Sequence, residues 1–243
     1  MDIELTEMEH GKPLTLSSLA GDKNAKIKEL KAKKNYAELY ELAVSLPPTK
    51  DKFLLKASAL MHLKKWEEAI ETCDRGLDLE EDSEFYNMKG RALGKLGNMK
   101  EKVALTRRAV ELDPNIPAYY RNLGAGLYKL KLYDEAISNH EKAINLEPTN
   151  SLNYHNVGAA LFRVEQYEKA KQYFKQAVER NKKEGLSHSW LGDCYKKTGE
   201  LKEAMECYEK AYEVSGKEMY REERDRLDKE LNPKKGFFAK LFG

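Results

Sequence analysis

Residues 117–150 read PAYYRNLGAGLYKLKLYDEAISNHEKAINLEPTN, and two further segments of the same length follow with the same pattern. Gly124 is followed 34 residues later by Gly158 and then by Gly192, and Gly90 precedes it by the same interval. Matched alanines stand 12 and 19 residues after the last three glycines, at 136, 170, 204 and at 143, 177, 211. A fixed period of this size, with small residues in matched columns, predicts a chain of repeated helical units.

Bulky side chains recur between these small residues at the spacing of helix turns. Residues 117–150 carry Tyr120, Leu123 and Leu127 ahead of Ala136. Two helices can cross closely only where side chains are small, and bulky neighbours then fill the space beside the crossing. Gly97 and Gly199, which stand midway through their units, are expected to end the first helix of each pair.

The pattern resembles the tetratricopeptide repeat, a helix–turn–helix unit of 34 residues. The resemblance implies an all-α fold in which antiparallel helix pairs stack into a right-handed superhelical solenoid. Five units are assigned, the first of them one residue short: 50–82, 83–116, 117–150, 151–184 and 185–218. Lys102 departs from the pattern because the family has Ala at its position. Either its aliphatic stem reaches out to solvent or its helix pair packs less closely.

The remaining segments are assigned from their local patterns. Residues 1–21 show no helical period and are expected to form a flexible tail, whereas residues 22–49 resemble a degenerate helix pair. Residues 219–232 are expected to form a polar-backed capping helix, as repeat arrays need for solubility. Residues 233–243 form a basic and aromatic tail.

Composition limits the classes of function. Charged residues make up 35% of the chain, and 43 Lys and Arg against 41 Asp and Glu leave a net charge of only +2. This balance gives no reason to expect nucleic-acid binding. Three cysteines and an acidic start without a signal-peptide pattern favour reduced thiols and a cytoplasmic location. No catalytic or metal-binding motif occurs, and His140 occupies a bulky core position, so we expect neither enzyme activity, cofactor nor metal.

Family resemblance implies that the first helix of each unit lines a concave groove. Across the four units from 83 to 218, the positions concerned hold seven basic side chains against two acidic ones, Glu84 and Asp193. We therefore expect a non-enzymatic scaffold or adaptor that binds an extended, acidic peptide segment of a protein partner. The expected groove residues are Arg91, Lys95, Arg121, Asn122, Tyr128, Lys129, His155, Asn156, Phe162, Arg163, Trp190 and Lys197.

Asn122 and Asn156 recur at one position of successive units, where an amide that both donates and accepts could hold an extended backbone. They match only one element of the clamp with which some co-chaperones of this family bind the carboxyl terminus of large chaperones. The sequence therefore does not predict a clamp of that kind.

Two alternatives remain open at this level. The array could be a structural subunit of a larger assembly that contacts its neighbours through its convex face. The C-terminal tail could instead attach the protein weakly to a membrane surface or dock as a short peptide, because its apolar side chains would share one face of a short helix with lysines around it. The tail residues concerned are Lys234, Lys235, Phe237, Phe238, Lys240, Leu241 and Phe242. The sequence does not indicate an oligomeric state.

Overall fold

The computed structural model describes residues 21–232, and this part of the chain folds into thirteen α-helices without a β-strand. The two expected tails lie outside it, except that Gly21 begins the first helix. The helices are α1 Gly21–Ala32, α2 Tyr36–Val44, α3 Lys50–His62, α4 Trp66–Leu77, α5 Ser83–Lys95, α6 Met99–Leu112, α7 Pro117–Lys129, α8 Tyr133–Leu146, α9 Ser151–Arg163, α10 Tyr167–Arg180, α11 Gly185–Lys197, α12 Leu201–Ser215 and α13 Glu218–Leu231.

The chain divides into two compact units, Met1–Leu132 and Tyr133–Gly243, which we call the N-terminal and C-terminal units. In the N-terminal unit each helix packs on the next along the chain, and α3 also contacts α5, as α5 contacts α7. In the C-terminal unit α8 to α13 pack in the same sequential way, and α9 contacts α11. The predicted all-α repeat of helix pairs is therefore confirmed within each unit. None of the described helices is long and apolar enough to cross a membrane.

The helices begin where the sequence provides caps. The side chains of Thr49, Asp82 and Asn150 each accept a hydrogen bond from a backbone N–H of the first turn that follows them. Asn35 accepts from the Glu38 N–H, and its amide donates back to the Glu38 carboxylate. These bonds satisfy N–H groups that have no partner within the helix, and each stabilises the helix by about 1 kcal/mol.

The small residues of the repeat lie where paired helices cross. A methyl group added at Gly90 would lie 3.2 Å from the Lys102 carbonyl oxygen, and one at Gly192 would lie 3.1 Å from the Tyr208 ring. At Gly158 it would meet the Phe174 ring at 2.9 Å. The bulky ring of one helix therefore packs directly against the glycine of its partner. His140 is fully buried, as its core position predicted.

The sequence left two alternatives for Lys102, that its stem reaches out to solvent or that its helix pair packs less closely. Both are wrong. Its side chain is only 3% exposed, so it does not reach solvent, and the Gly90 contact shows that α5 and α6 still pack closely. The stem instead lies against two further glycines. Added methyl groups at Gly94 and Gly126 would lie 2.6 Å and 3.6 Å from Lys102 Cδ. The Lys102 stem of α6 thus occupies the space beside Gly94 of α5.

The turns between paired helices need a left-handed backbone residue. Gly97 and Gly199 supply it with φ of 89° and 85°. In the other turns the residue is Lys34, Lys64, Lys131 or Glu165, with φ between 53° and 63°. A side chain in this conformation costs about 1–2 kcal/mol because Cβ crowds the following carbonyl oxygen. Four of these turns are therefore strained where glycine would not be.

We expect Lys131→Gly to stabilise the protein by about 0.5–1 kcal/mol, because relief of the left-handed strain outweighs the greater chain entropy of glycine. Urea unfolding would measure it. Gln172→Gly, an exposed site within α10, is the matched control and should destabilise by about 1 kcal/mol. Destabilisation by Lys131→Gly equal to that of the control would contradict the assignment of strain.

A second prediction concerns the packing of Lys102. Gly94→Ala should destabilise the native protein because the new methyl group displaces the Lys102 stem. In a Lys102→Ala background the same change should be neutral or favourable, since the stem is gone and Ala is the better helix former. The unfolding free energies of the four proteins should give a coupling of about 1–2 kcal/mol between the two sites. An equal effect of Gly94→Ala in both backgrounds would exclude this packing.

Candidate peptide-binding surface

The expected groove residues lie on four first helices, two in each unit. We call the side of α5 and α7 that carries them the N-terminal binding face, and that of α9 and α11 the C-terminal binding face. The former holds Arg91, Lys95, Arg121, Asn122, Tyr128 and Lys129, and the latter holds His155, Asn156, Phe162, Arg163, Trp190 and Lys197. Spacings of four residues on α5 and of seven residues on α7, α9 and α11 place these pairs along one side of each helix.

The predicted residues differ widely in exposure. Lys95, Lys129, Arg163 and Lys197 are exposed near the ends of their helices. Arg91, Phe162 and Trp190 are half-buried. The other five are buried: Arg121, Asn122, Tyr128, His155 and Asn156. The exposed charge therefore lies at the helix ends, and Arg121, at 2% exposure, is a buried guanidinium rather than a surface group.

Polar side chains connect α5 and α7 across the N-terminal binding face. Asn122 Nδ2 donates to Asn87 Oδ1 at 2.8 Å, and Tyr119 Oη donates to a Glu84 carboxylate oxygen at 2.9 Å. Since the Tyr119 proton is used there, the Ser83 hydroxyl, 3.1 Å away, donates to Tyr119 Oη. Burial raises the pKa of Glu84, because removal from water disfavours the carboxylate. This acid is thus held within the face by α7.

Asn87 and the Glu84–Tyr119 pair were not singled out from the sequence. Asn87 precedes Asn122 by 35 residues, one more than the repeat period, so a search for asparagines at equal positions does not pair them. Neighbouring first helices are offset enough for amides at adjacent positions to meet. The signal that could have found the pair is an Asn or Gln one position away in the preceding unit.

Some buried polar atoms of the N-terminal binding face have no hydrogen-bond partner among the described residues. They include Asn122 Oδ1, an acceptor, and Arg91 Nε, a donor. Buried polar groups are paired in the great majority of cases, because an unpaired one costs about 1–3 kcal/mol.

His155 is the centre of the polar contacts in the C-terminal binding face. Ser187 Oγ donates to Glu184 at 3.0 Å and lies 2.8 Å from His155 Nδ1. Because the Ser187 proton is committed to Glu184, this network assigns the imidazole proton to Nδ1, and Nε2 is an acceptor. Burial lowers the pKa of His155 to about 4, so the ring is neutral near pH 7. Nε2 and the nearby Asn156 Oδ1 have no hydrogen-bond partner among the described residues.

Aromatic rings surround His155. Trp190 packs edge-to-face against Phe162 with ring centroids 5.1 Å apart, and it stacks on Phe174 at 5.8 Å. His155 itself meets Phe174 and Trp190 edge-on. The half-buried faces of Phe162 and Trp190 offer apolar contact area beside the acceptor atoms.

One acidic group of the C-terminal binding face is also tied into the fold. Tyr208 Oη donates to Asp193 at 2.6 Å, and burial raises the pKa of this carboxyl. As with Glu84 on the other face, the acid is bound by a tyrosine of a neighbouring helix. The exposed charge contributed by the predicted residues is therefore basic on both faces.

No group of three or more His, Cys, Asp or Glu side chains within residues 21–232 is placed to hold a metal ion. Cys73 and Cys194 are buried, and Cys207 is half-buried. Burial raises the pKa of the Cys194 and Cys207 thiols to about 12, which disfavours the thiolate required for nucleophilic chemistry or metal binding.

Comparison with known proteins identifies the repeat. One model described as tetratricopeptide repeat matches residues 115–183 and 150–217, and a second with the same description matches residues 83–116. Together these matches span more than half of the chain. No curated protein sequence matches it at a significant level.

Solved structures of the same fold are numerous. A C-terminal part of a repeat-containing protein from Cytophaga hutchinsonii is 21% identical, with a TM-score of 0.66 over 84% of each chain. MamA residues 41 to the end, from Desulfovibrio magneticus RS-1, is 24% identical, with a TM-score of 0.65 over 70% of this chain and 97% of that one. YrrB, described as a TPR protein with an unusual peptide-binding site, is 19% identical, with a TM-score of 0.62 over 70% and 88%. At these identities the likeness establishes the fold alone.

The burial of neutral His155 predicts a pH-dependent stability. Its ordinary pKa of 6.5 applies to the unfolded chain, whereas the folded value is about 4. Between these values the unfolded chain binds the proton more readily, so stability should fall as pH drops from about 6.5 to about 4, by up to ~3 kcal/mol.

His155→Gln should remove most of this loss. Urea unfolding at a series of pH values would measure the slope, which is independent of any constant offset that the substitution introduces. His188→Gln is the control, since His188 is only half-buried and should contribute less. An unchanged slope in His155→Gln would contradict the prediction.

Proposed function

The chain belongs to the tetratricopeptide repeat family, and from this premise we propose that it is a non-enzymatic scaffold that binds an extended, acidic segment of a protein partner. The proposed sites are the N-terminal binding face, on α5 and α7, and the C-terminal binding face, on α9 and α11, each within its own unit. The observation that carries the proposal is the set of buried polar atoms there that have no hydrogen-bond partner among the described residues.

These atoms fit an extended peptide better than a small molecule. Asn122 Oδ1 is an acceptor on one repeat, and His155 Nε2 and Asn156 Oδ1 are acceptors on the next. The donors that recur along an extended chain are its backbone N–H groups. His155 is a dependable acceptor because it remains neutral at physiological pH. Hydrogen bonds to the peptide backbone do not depend on the side chains of the bound segment. They would therefore contribute to affinity but not to the choice of peptide sequence.

Selectivity for acidic segments would come from the exposed cations at the margins. Lys95 and Lys129 lie at the ends of α5 and α7, and Arg163 and Lys197 lie at the ends of α9 and α11. Opposite charge in a partner speeds encounter and fixes the register of binding, but adds little affinity when exposed to solvent. Phe162 and Trp190 add apolar contact for a partner side chain.

The amide contribution can be tested with paired variants. A displayed library of random peptides would first be selected on the whole protein, and affinities would then be measured for the selected sequences. Asn122→Ala with Asn156→Ala should weaken binding about tenfold or more, at about 1 kcal/mol for each hydrogen bond lost. Asn145→Ala, an exposed site on α8, is the control. Equal affinity of the double variant and the control would reject these faces as the site.

The charge contribution has a separate test. Arg163→Glu with Lys197→Glu should weaken binding of the selected peptides and reduce its dependence on salt, because fewer charges would attract the partner. Lys169→Glu with Lys202→Glu reverses two exposed charges on second helices and is the control. Selection of peptides without an excess of Asp and Glu would reject the acidic partner while leaving the amide contacts in place.

A further inference from the structure

One edge of the N-terminal unit is lined by lysines. The turns that follow α1, α3, α5 and α7, with the helix residues next to them, comprise residues 31–35, 63–65, 95–98 and 129–132. They contain eight lysines and no acidic residue, and we call them the lysine edge: Lys31, Lys33, Lys34, Lys64, Lys65, Lys95, Lys129 and Lys131. The corresponding turns of the C-terminal unit, at 163–166 and 197–200, each contain Glu.

These turns lie on the same side of the unit. Helices α3, α5 and α7 neighbour one another, and α4 and α6 pack between them along the chain. Since short turns reverse the chain at every step, the carboxyl ends of α3, α5 and α7 point the same way. Helices in contact are about 8–10 Å apart, so the turns form a row rather than isolated loops.

Several of these lysines have a strained backbone conformation, which lowers the stability of the fold. Lys34, Lys64 and Lys131 have φ of 53°, 59° and 63°, in the left-handed region where Gly97 stands in the remaining turn. Residues kept in such a conformation tend to serve function, since glycine would remove the strain. Three strained residues of the same charge on one edge point to a role for that charge.

Exposed leucines stand among the lysines. Leu63, Leu96 and Leu132 are 37%, 44% and 45% exposed, one in each of three successive turns. Each is adjacent to a lysine in the sequence. The lysine edge therefore exposes leucine side chains next to lysine ammonium groups.

Little of this charge is neutralised within the protein. Lys33 pairs with Glu29, and Lys65 pairs with Glu68. Among the described residues, no ion pair involves the other exposed lysines of the edge, Lys34, Lys64, Lys95, Lys129 and Lys131. The opposite edge is acidic, with Asp78, Glu80, Glu81 and Asp82 between α4 and α5 and Asp113 after α6. The N-terminal unit is thus electrically polarised despite the small net charge of the chain.

We propose that the lysine edge docks the protein on the surface of an anionic phospholipid bilayer. Lysine ammonium groups would lie among the headgroups, and each cation near such a surface contributes about 1 kcal/mol at physiological salt. The leucine tips would enter the boundary of the acyl region, while the lysine stems reach back to the headgroups. The acidic edge would face away from the membrane, which orients the unit.

The composition of the edge favours a bilayer over other polyanions. It contains no arginine, the side chain that binds phosphates in a fork. An acidic protein would gain nothing from three solvent-facing leucines unless it offered a matching apolar strip. This surface is also distinct from the binding faces, apart from Lys95 and Lys129 at their shared margin.

The test uses the full chain and vesicles of phosphatidylcholine with or without phosphatidylserine, separated by flotation. Binding is expected only to vesicles with phosphatidylserine and should decrease with salt. Lys64→Gly with Lys131→Gly should lower the partition coefficient about 30-fold, from two lost cations. These substitutions also relieve backbone strain, so the variant should be at least as stable, and unfolding would not explain the loss. Lys182→Gln with Lys183→Gln, in a turn of the C-terminal unit, is the charge control.

The contribution of the exposed leucines is tested with a second variant and a matched control. Leu96→Ser with Leu132→Ser should weaken flotation about tenfold or more, whereas Leu79→Ser with Leu112→Ser, exposed leucines of the acidic edge, should not. The C-terminal tail is present in every variant, so binding through it would leave all of them equal. That equality would overturn the proposal, as would binding to duplex DNA or polyglutamate without binding to the anionic vesicles. Asn122→Ala with Asn156→Ala should float as the native protein does, which separates this proposal from peptide binding.

Discussion

The close crossing of paired helices is the constraint on which the rest of the structure depends. A helix pair can approach this closely only if one helix presents hydrogen or a methyl group where the other presents a ring or a carbonyl. Gly158 under Phe174 and Gly192 under Tyr208 meet this condition in the C-terminal unit, and Gly90 against the α6 backbone meets it in the N-terminal unit. Each crossing sets the rotation of its first helix, which in turn decides which side chains reach the binding faces.

Lys102 replaces the Ala of the repeat pattern, yet α5 and α6 still cross closely. The Ala expected at this position would leave room for a side chain at 94, which is glycine here, whereas a methyl group at Gly126 would first meet Val103 Cγ2, at 2.9 Å. The lysine stem takes that volume, with Cδ close to the place of both missing methyl groups. The space beside Gly94 is therefore filled by the Lys102 stem of the neighbouring helix. A comparison of single positions with the family pattern cannot detect such an exchange.

The binding faces bury polar atoms that have no hydrogen-bond partner among the described residues. Asn122 donates to Asn87 and leaves its own oxygen unpaired, and His155 donates to Ser187 and leaves Nε2 unpaired. Each such atom opposes folding, because a buried polar group without a partner has lost its hydrogen bonds to water and has not replaced them. The lysine edge follows the same logic, with backbone strain in place of an unpaired polar atom. Both features lower the stability of the folded protein, and we propose that contact with another molecule offsets this loss.

The repeat register could be predicted from the sequence because a period of 34, with small and bulky residues in matched columns, has few physical solutions. It located the helix pairs, the helix-ending glycines and the burial of His140, and it placed the groove residues on first helices. Which of those residues remain accessible depended on packing between helices. Arg121 and Lys129 lie two turns apart on α7, yet one is buried and the other exposed. The repeat period predicts which side of its helix a residue lies on, but it does not predict which side chains of the neighbouring helices cover it. For the same reason the sequence did not reveal the Asn87–Asn122 pair, the buried position of Lys102 or the row of lysines.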